Sequence, residues 1–364
     1  MTVAELTFWQ QVLYADLPLQ KVQALLEQAG DFEQALTLDQ AALVQCGLSE
    51  NQARRFCELQ PTDGLEAWLD KPGHVLLRWQ DDAYPSQLKV LDDAPPLLFA
   101  MGNVGLLQAP QLAVVGGRHA TREGLRTAEE FSRVLSEAGL TITSGLAHGI
   151  DAAAHRGALQ GIGSTVAVLG TGIDRIYPAA NKPLAHEIAA RGLIVSEFPQ
   201  GTRPLARNFP RRNRIVSGLS LGTLVVEAAE QSGSLITARL AMQQGREVFA
   251  IPGSIHNPMA KGCHRLIKQG ATLVESPQEV LEGLSNVLQA ELMLETSAPG
   301  APQALPTDAE QRQLLSQLDF SPISLDELAV LTKWPVSALQ STLLGLELEG
   351  WIEALPGNLY KRVR

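Results

Sequence analysis

Arg203, Arg207, Arg211, Arg212 and Arg214 fall in the run GTRPLARNFPRRNRIVSGLS together with Asn208, Phe209 and Pro210, and no acidic residue stands between Glu197 and Glu227. A guanidinium is planar, permanently charged and shaped to grip phosphate oxygens. An aromatic ring in the same segment offers a face on which an unpaired base can stack. Basic plus aromatic points to a single-stranded polyanion. The structural reading is that some of these arginines pair with carboxylates and that Phe209 sits in the core. The lack of local carboxylates weighs against it for all five together. For any one of them the choice stays open, for Arg214 above all, because it leads into the apolar Ile215-Val216.

The surrounding pattern is one that puts such residues on a sheet edge. Short β-branched runs at Leu112–Val115, Leu140–Thr143, Thr165–Leu169, Leu193–Ser196, Thr223–Glu227, Glu247–Ile251 and Thr272–Val274 alternate with helical stretches. The helical stretches are Thr121–Ala138, Ala147–Gln160, Ala180–Ala190 and Ser232–Gln244. Apolar strands alternating with helices predict an α/β fold, an extended Rossmann-like doubly wound parallel sheet. Upstream, residues 75–110 contain Tyr84-Pro85 and Ala94-Pro95-Pro96 and read as an extended lead-in to a domain spanning 75–285. Residues 1–70 show only helical spacing, and Cys46-Gly47-Leu48 between two helical runs suggests a small domain of the SAM or helix-hairpin-helix kind. A helical run, Pro277–Glu295, precedes an uncharged Pro/Ala/Gly linker at 297–306. Three helical stretches and a hairpin over 307–364 then predict a winged helix. Its third helix, Val336–Glu349, carries no Lys or Arg, which favours contact with protein over DNA reading.

In a doubly wound sheet the strand-to-helix turns present backbone N–H groups to anions. Here those turns are Gly116-Gly117-Arg118, Ser144–Gly149, Gly170-Thr171-Gly172 and Ser232-Gly233-Ser234. Most of these glycines read as turn formers. Arg118, directly after a buried strand, is placed at the ligand edge, as are Asn181 and Lys182 at the start of a helix. GGRHATREG at 116–124 misses the dinucleotide fingerprint, because Arg118 occupies the second glycine position. Gly218–Gly222 fits GxSxG, yet its serine precedes a strand instead of a helix. Asp151 and His155 lie one helical turn apart and lack a third ligand, so they read as a backbone-orienting carboxylate and a packed histidine. Cys46, Cys57 and Cys263 are widely separated and read as free thiols. No cofactor or metal is expected.

The formal net charge of −10 hides its distribution: residues 111–275 hold 18 basic and 12 acidic residues, leaving 11 against 27 for the remainder. The positive middle suits a phosphate backbone and the acidic flanks do not. No apolar stretch predicts a membrane span or leader, so the expected location is cytoplasmic.

With these residues in hand, AVVGGRHATREG (113–124), TSGLAHGIDAAAHRGAL (143–159), STVAVLGTGIDRIYPAANKPL (164–184), IVSEFPQGTRPLARNFPRRNRIVSGLS (194–220), LVVEAAEQSGSLITARLA (224–241) and GREVFAIPGSIHNPMAKGCHRLIKQGATLV (245–274) resemble the bacterial DNA-processing protein A (DprA/Smf) family. The resemblance implies a protein, not an enzyme, that binds single-stranded DNA without sequence preference. It further implies a homodimer that loads the RecA recombinase onto incoming DNA during natural transformation. Carried over, the DNA groove would use Arg118, Lys182, the Gly201 backbone and Phe209, with Arg207, Arg211 and Arg212 as further phosphate contacts. Some members carry lysine at the position of Ala206, which departs from the pattern. Dimerisation is suggested for Cys263–Val274. The rival is a Rossmann-type nucleoside monophosphate hydrolase, in which Arg118 grips a 5′-phosphate and Glu227, after Gly222-Thr223, acts on the sugar.

Overall fold

The computed structural model describes residues 2–58, 63–285, 309–315, 317–318, 323–348, 351–355 and 359–362. The chain divides into two compact units, residues 1–292 and 293–364.

The first unit opens with six helices: α1 Val3–Ala15, α2 Leu19–Ala29, α3 Phe32–Thr37, α4 Gln40–Gln45, α5 Glu50–Glu58 and α6 Asp63–Leu69. Thr2, Asp31 and Asp39 cap α1, α3 and α4 through their side-chain oxygens. Gly47, at φ 91°, turns the chain between α4 and α5, as the sequence suggested for Cys46-Gly47-Leu48.

The sheet strands are β1 His74–Arg78, β2 Leu97–Gly102, β3 Gln111–Gly116, β4 Thr141–Ser144, β5 Thr165–Val168, β6 Leu193–Ser196, β7 Gly222–Val226, β8 Glu247–Ala250 and β9 Thr272–Leu273. The helices among them are α7 Ser86–Lys89, α8 Arg122–Glu137, α9 Ile150–Ala158, α10 Lys182–Arg191, α11 Asn208–Gly218, α12 Ser234–Gln243 and α13 Lys261–Lys268. A further helix, α14, covers 277–285; the rest of the run predicted to Glu295 lies outside the described residues. Across the sheet the order is β1-β2-β6-β5-β4-β3-β7-β8-β9. From β6 to β9 every neighbour pair is parallel, while β2 joins β6 and β1 joins β2 antiparallel.

Helices cover both faces, and the period-2 alternation of side chains sorts them. Leu112 and Val114 of β3 pack with Phe131 of α8 and Ile150 of α9. Ala113 and Val115 pack with Ile215 of α11, Leu235 of α12 and Leu266 of α13. The central strands β3 to β7 are therefore buried along almost their whole length, as a doubly covered parallel sheet requires. Residues 75–110 are more than an extended lead-in. The prolines bound β1, the short α7 and β2, and β2 is buried on both faces because it continues the sheet. Nor do the N-terminal helices form a separate core: Phe8, Trp9, Leu25 and Trp68 share one cluster with Leu97 and Phe99 of β2 and Ile188 of α10.

The second unit contains α15 Ala309–Leu315, β10 Ile323–Ser324, α16 Leu325–Thr332, α17 Val336–Leu348, β11 Ile352–Leu355 and β12 Leu359–Arg362. Its strands form an antiparallel sheet in the order β10-β12-β11, over a core of Leu314, Leu328, Leu339, Leu343 and Ile352. Three helices and a winged hairpin are the expected arrangement. The expected linker at 297–306 and hairpin turn at 356–358 fall outside the described residues. Among the described residues no helix is long and apolar enough to cross a membrane.

Candidate nucleic-acid interface

The chain steps outward from β3 to β6 on one side and returns to start β7 on the other, so β3 is the switch point of the sheet. Ligands in open α/β sheets bind outside the strand C-termini at such a point. A cavity of about 810 Å³ lies there. It is lined by Gly116–His119 after β3, Gly145 and Ala147 after β4, Tyr177 after β5, Phe209 and Asn213 of α11, and Ser232–Ser234 after β7.

The arginine-rich segment reaches this cavity as a helix, which sequence spacing did not reveal. Arg207 is the N-cap of α11 and Pro210 sits in its first turn, where a missing N–H is harmless. The helix sends its side chains three ways. Phe209, half-buried, faces the cavity, with the Tyr177 ring centroid 5.7 Å away and the Arg118 guanidinium carbon 5.8 Å from its own. Gly170 makes room for this ring, since a Cβ there would lie 2.9 Å from it. Arg118 is exposed, and Tyr177 is 46% exposed. An aromatic pair and a cation at its edge form a platform on which a base can stack.

Arg212 points inward. It is 5% exposed, and its guanidinium donates to the Gly145 carbonyl at 2.5 Å and to the Val168 carbonyl. A Cβ on Gly145 would collide with that guanidinium, so the glycine is needed for the packing. Burial pulls the Arg212 pKa down to about 10. Beside it, Asp151 accepts from the Gly145 and Ala147 N–H groups, and burial pushes its carboxyl pKa up. The backbone-orienting role expected of Asp151 is what these bonds show.

Arg211 and Arg214 point away from the cavity. Both bind Glu197 Oε2, at 2.9 and 2.6 Å, and Arg211 also reaches Asp16 at 2.7 Å while Arg214 reaches Asp93 at 3.3 Å. Glu197 is 4% exposed, and burial raises its pKa against the pull of the two arginines. The acid-free stretch is thus compensated by the carboxylate at its border and by two aspartates distant in sequence. Of the residues expected as further phosphate contacts, Arg211 is paired with carboxylates and Arg212 is buried.

The remaining expected residues do not line the cavity themselves. Arg203 and Arg207 are exposed beside Pro204 and Ala206, which line the cavity. Lys182 is exposed at the start of α10 and is not part of the lining. The Gly201 N–H already donates to Asp174 at 2.8 Å, so it is not a free donor. Glu227, which the hydrolase reading needs at a sugar, has its carboxylate taken by the Thr121 N–H and hydroxyl, both at 2.7 Å, and by Asn257 at 3.3 Å. It anchors the N-terminus of α8. Tyr177 was missed by sequence reasoning. Its only signal is an aromatic residue just before Pro178, in the loop that follows β5.

Residues 75–285 match the DNA recombination-mediator protein A family, and residues 298–358 match the DprA winged helix domain. Protein Smf of Escherichia coli is 45% identical over 338 residues, 90% of this chain and 88% of that protein. DNA processing protein DprA of Streptococcus pneumoniae is 44% identical over 263 residues, 72% of this chain and 92% of that protein. The X-ray structure of DNA processing protein A from Streptococcus pneumoniae covers 76% of this chain and 97% of its own, with TM-score 0.67 and 40% identity. A structure of DNA processing protein A from Helicobacter pylori, described for its single-stranded DNA binding mode, covers 58% of this chain and 96% of its own, with TM-score 0.54 and 30% identity.

Proposed function

The chain belongs to the DNA recombination-mediator protein A family, and on that premise we propose that it binds single-stranded DNA without sequence preference at the switch-point groove. The observation that carries this reading is the Phe209 ring set between Tyr177 and Arg118 above a groove whose rim carries Arg203 and Arg207. Stacking accepts any base, and the cations meet only the backbone. Phe209 and Arg118 make the primary contact. Arg207 and Arg203 follow the strand along the rim, and Arg207 supplies the charge that Ala206, in the cavity wall, does not. Lys182 extends the path beyond Tyr177. Arg212 holds the groove floor, and Arg211 holds α11.

The protein acts by binding and not by turnover. The carboxylates near the groove support this: Asp151 is held by two backbone amides, and Glu227 caps α8. As a recombination mediator it delivers the RecA recombinase to DNA taken up in transformation, in the cytoplasm. The acidic winged-helix unit is suited to protein contact. A homodimer through Cys263–Val274 agrees with the exposed edge strand β9, where Leu273 is 43% exposed.

Titration with single- and double-stranded oligonucleotides over a range of salt tests the reading. For three to five phosphate contacts, log K against log salt should slope by roughly −2 to −4 for single strands. A slope near zero, or tighter binding to duplex, would overturn it, as would release of free base from nucleoside monophosphates.

A further inference from the structure

The side of the groove opposite Arg118 and Phe209 has no role so far. It is built from Ser232, Gly233, Ser234 and Thr237, at the N-terminus of α12. Gly233 is the N-cap, at φ −61°, and the first helical N–H, that of Ser234, donates to the Ser232 hydroxyl in a long bond of 3.4 Å. A Cβ on Gly233 would meet nothing within 4 Å, so the residue faces open groove. The Ser232 and Ser234 hydroxyls lie 2.7 Å apart and share one hydrogen bond, which leaves one hydroxyl proton to donate outward. Independently of the helix end, Thr237 is 2% exposed, lines the cavity and has no hydrogen-bond partner for its hydroxyl among the described residues. The Thr237 hydroxyl is not sealed off, and a ligand in the cavity can pair with it. Among the described residues Asp151 is the one carboxylate in the cavity lining, and it is already bonded to two backbone amides.

We propose that Gly233, Ser234 and Thr237 form a second phosphate seat, which holds a backbone phosphate of the strand whose base stacks on Phe209. This rests on the single-stranded DNA reading and deepens it: one groove would grip a strand at two phosphates, by a guanidinium at one wall and by hydroxyls and a helix dipole at the other. The cavity, at about 810 Å³, is at the upper end of small-molecule sites, roughly 300–1,000 Å³, and suits more than one nucleotide.

The test is a length series of oligothymidylates, from two to eight nucleotides, titrated against the full chain and against Thr237→Val and Gly233→Asp. Wild-type affinity should rise in two steps, the second when the strand is long enough to reach the seat. Both variants should lose that second step, about tenfold, the size of one hydrogen bond to a charged group, and bind the shortest strands as wild type does. Gly233→Asp places its side chain in open space on a backbone that any residue adopts, so thermal unfolding should show an unchanged Tm, which separates lost binding from lost fold. Equal affinity of wild type and both variants at every length would overturn the seat, and so would a uniform loss at all lengths. Failure of the parent reading looks different: Arg118→Ala and Phe209→Ala would then leave binding unchanged at every length.

Discussion

Arg203 and Arg207 stand in solvent beside the groove, whereas Arg211, Arg212 and Arg214 of the same segment are taken up by the protein's own oxygens. The chemistry of the five side chains is identical. What separates them is whether a fixed acceptor lies within reach: a carbonyl pair for Arg212, and Glu197 with Asp16 or Asp93 for the other two. Charge density along a chain is therefore a poor measure of charge offered to a ligand. Here the inner three tie α11 to the rest of the fold, and the outer two are left in solvent.

The contrast breaks most visibly at the buried pair. Arg214→Ala leaves Glu197 underground with half its compensation, and removing one partner of a buried pair costs about 3–5 kcal/mol. Denaturant unfolding should show that loss, while the folded fraction binds DNA as before; a variant that kept its stability and lost binding would move Arg214 to the outer class.

His155 tests the inner region by pH. Its Nδ1 meets the Thr165 hydroxyl at 2.7 Å, its Nε2 is buried without a partner, and burial holds its pKa down to about 3. Between that value and the ordinary 6.5 the unfolded chain carries a proton that the folded one refuses. Stability should thus fall as pH drops through this window, by up to about 1.4 kcal/mol per pH unit. In His155→Gln the Tm against pH should be flatter below pH 6.5; an unchanged profile would assign the acid sensitivity elsewhere.

Phe209→Ala should weaken single-strand binding by about 1–3 kcal/mol and flatten differences between bases. Loss of the folded state instead would place Phe209 among the core residues. The smallest effect is expected for Arg207→Ala: a salt slope shallower by about 0.7 with stability within about 0.5 kcal/mol of wild type. If Arg211→Ala gave the same shift in slope, the division between the two sets would be wrong.

The sheet was legible because burial on both faces leaves strands such as TVAV and LIVS short, β-branched and regularly spaced between helices. β1 and β2 were not, since Pro85, Pro95 and Pro96 dominate the local signal although they bound the elements without interrupting them. Helix α11 was hidden for a related reason: three arginines and a proline leave no apolar stripe in its first two turns. At the site, Arg118 was singled out by its position after a strand and Phe209 as an aromatic within the arginine run. The pairing of Arg211 and Arg214 was not, because Asp16 and Asp93 come close only through the fold. Tyr177 carries no period at all; only the proximity of the loops after β5 and β6 makes it a partner of Phe209.

The shared cluster that joins Trp9, Leu25 and Trp68 to Leu97, Phe99 and Ile194 makes the N-terminal helices something other than a detachable module. Truncation to the sheet domain would strip one face of its cover and turn β2's apolar side chains toward water. The shortened chain would then self-associate through that face before any difference in DNA affinity could be read. In evolutionary terms, helices and strand face are coupled, because each buries part of the other's apolar surface.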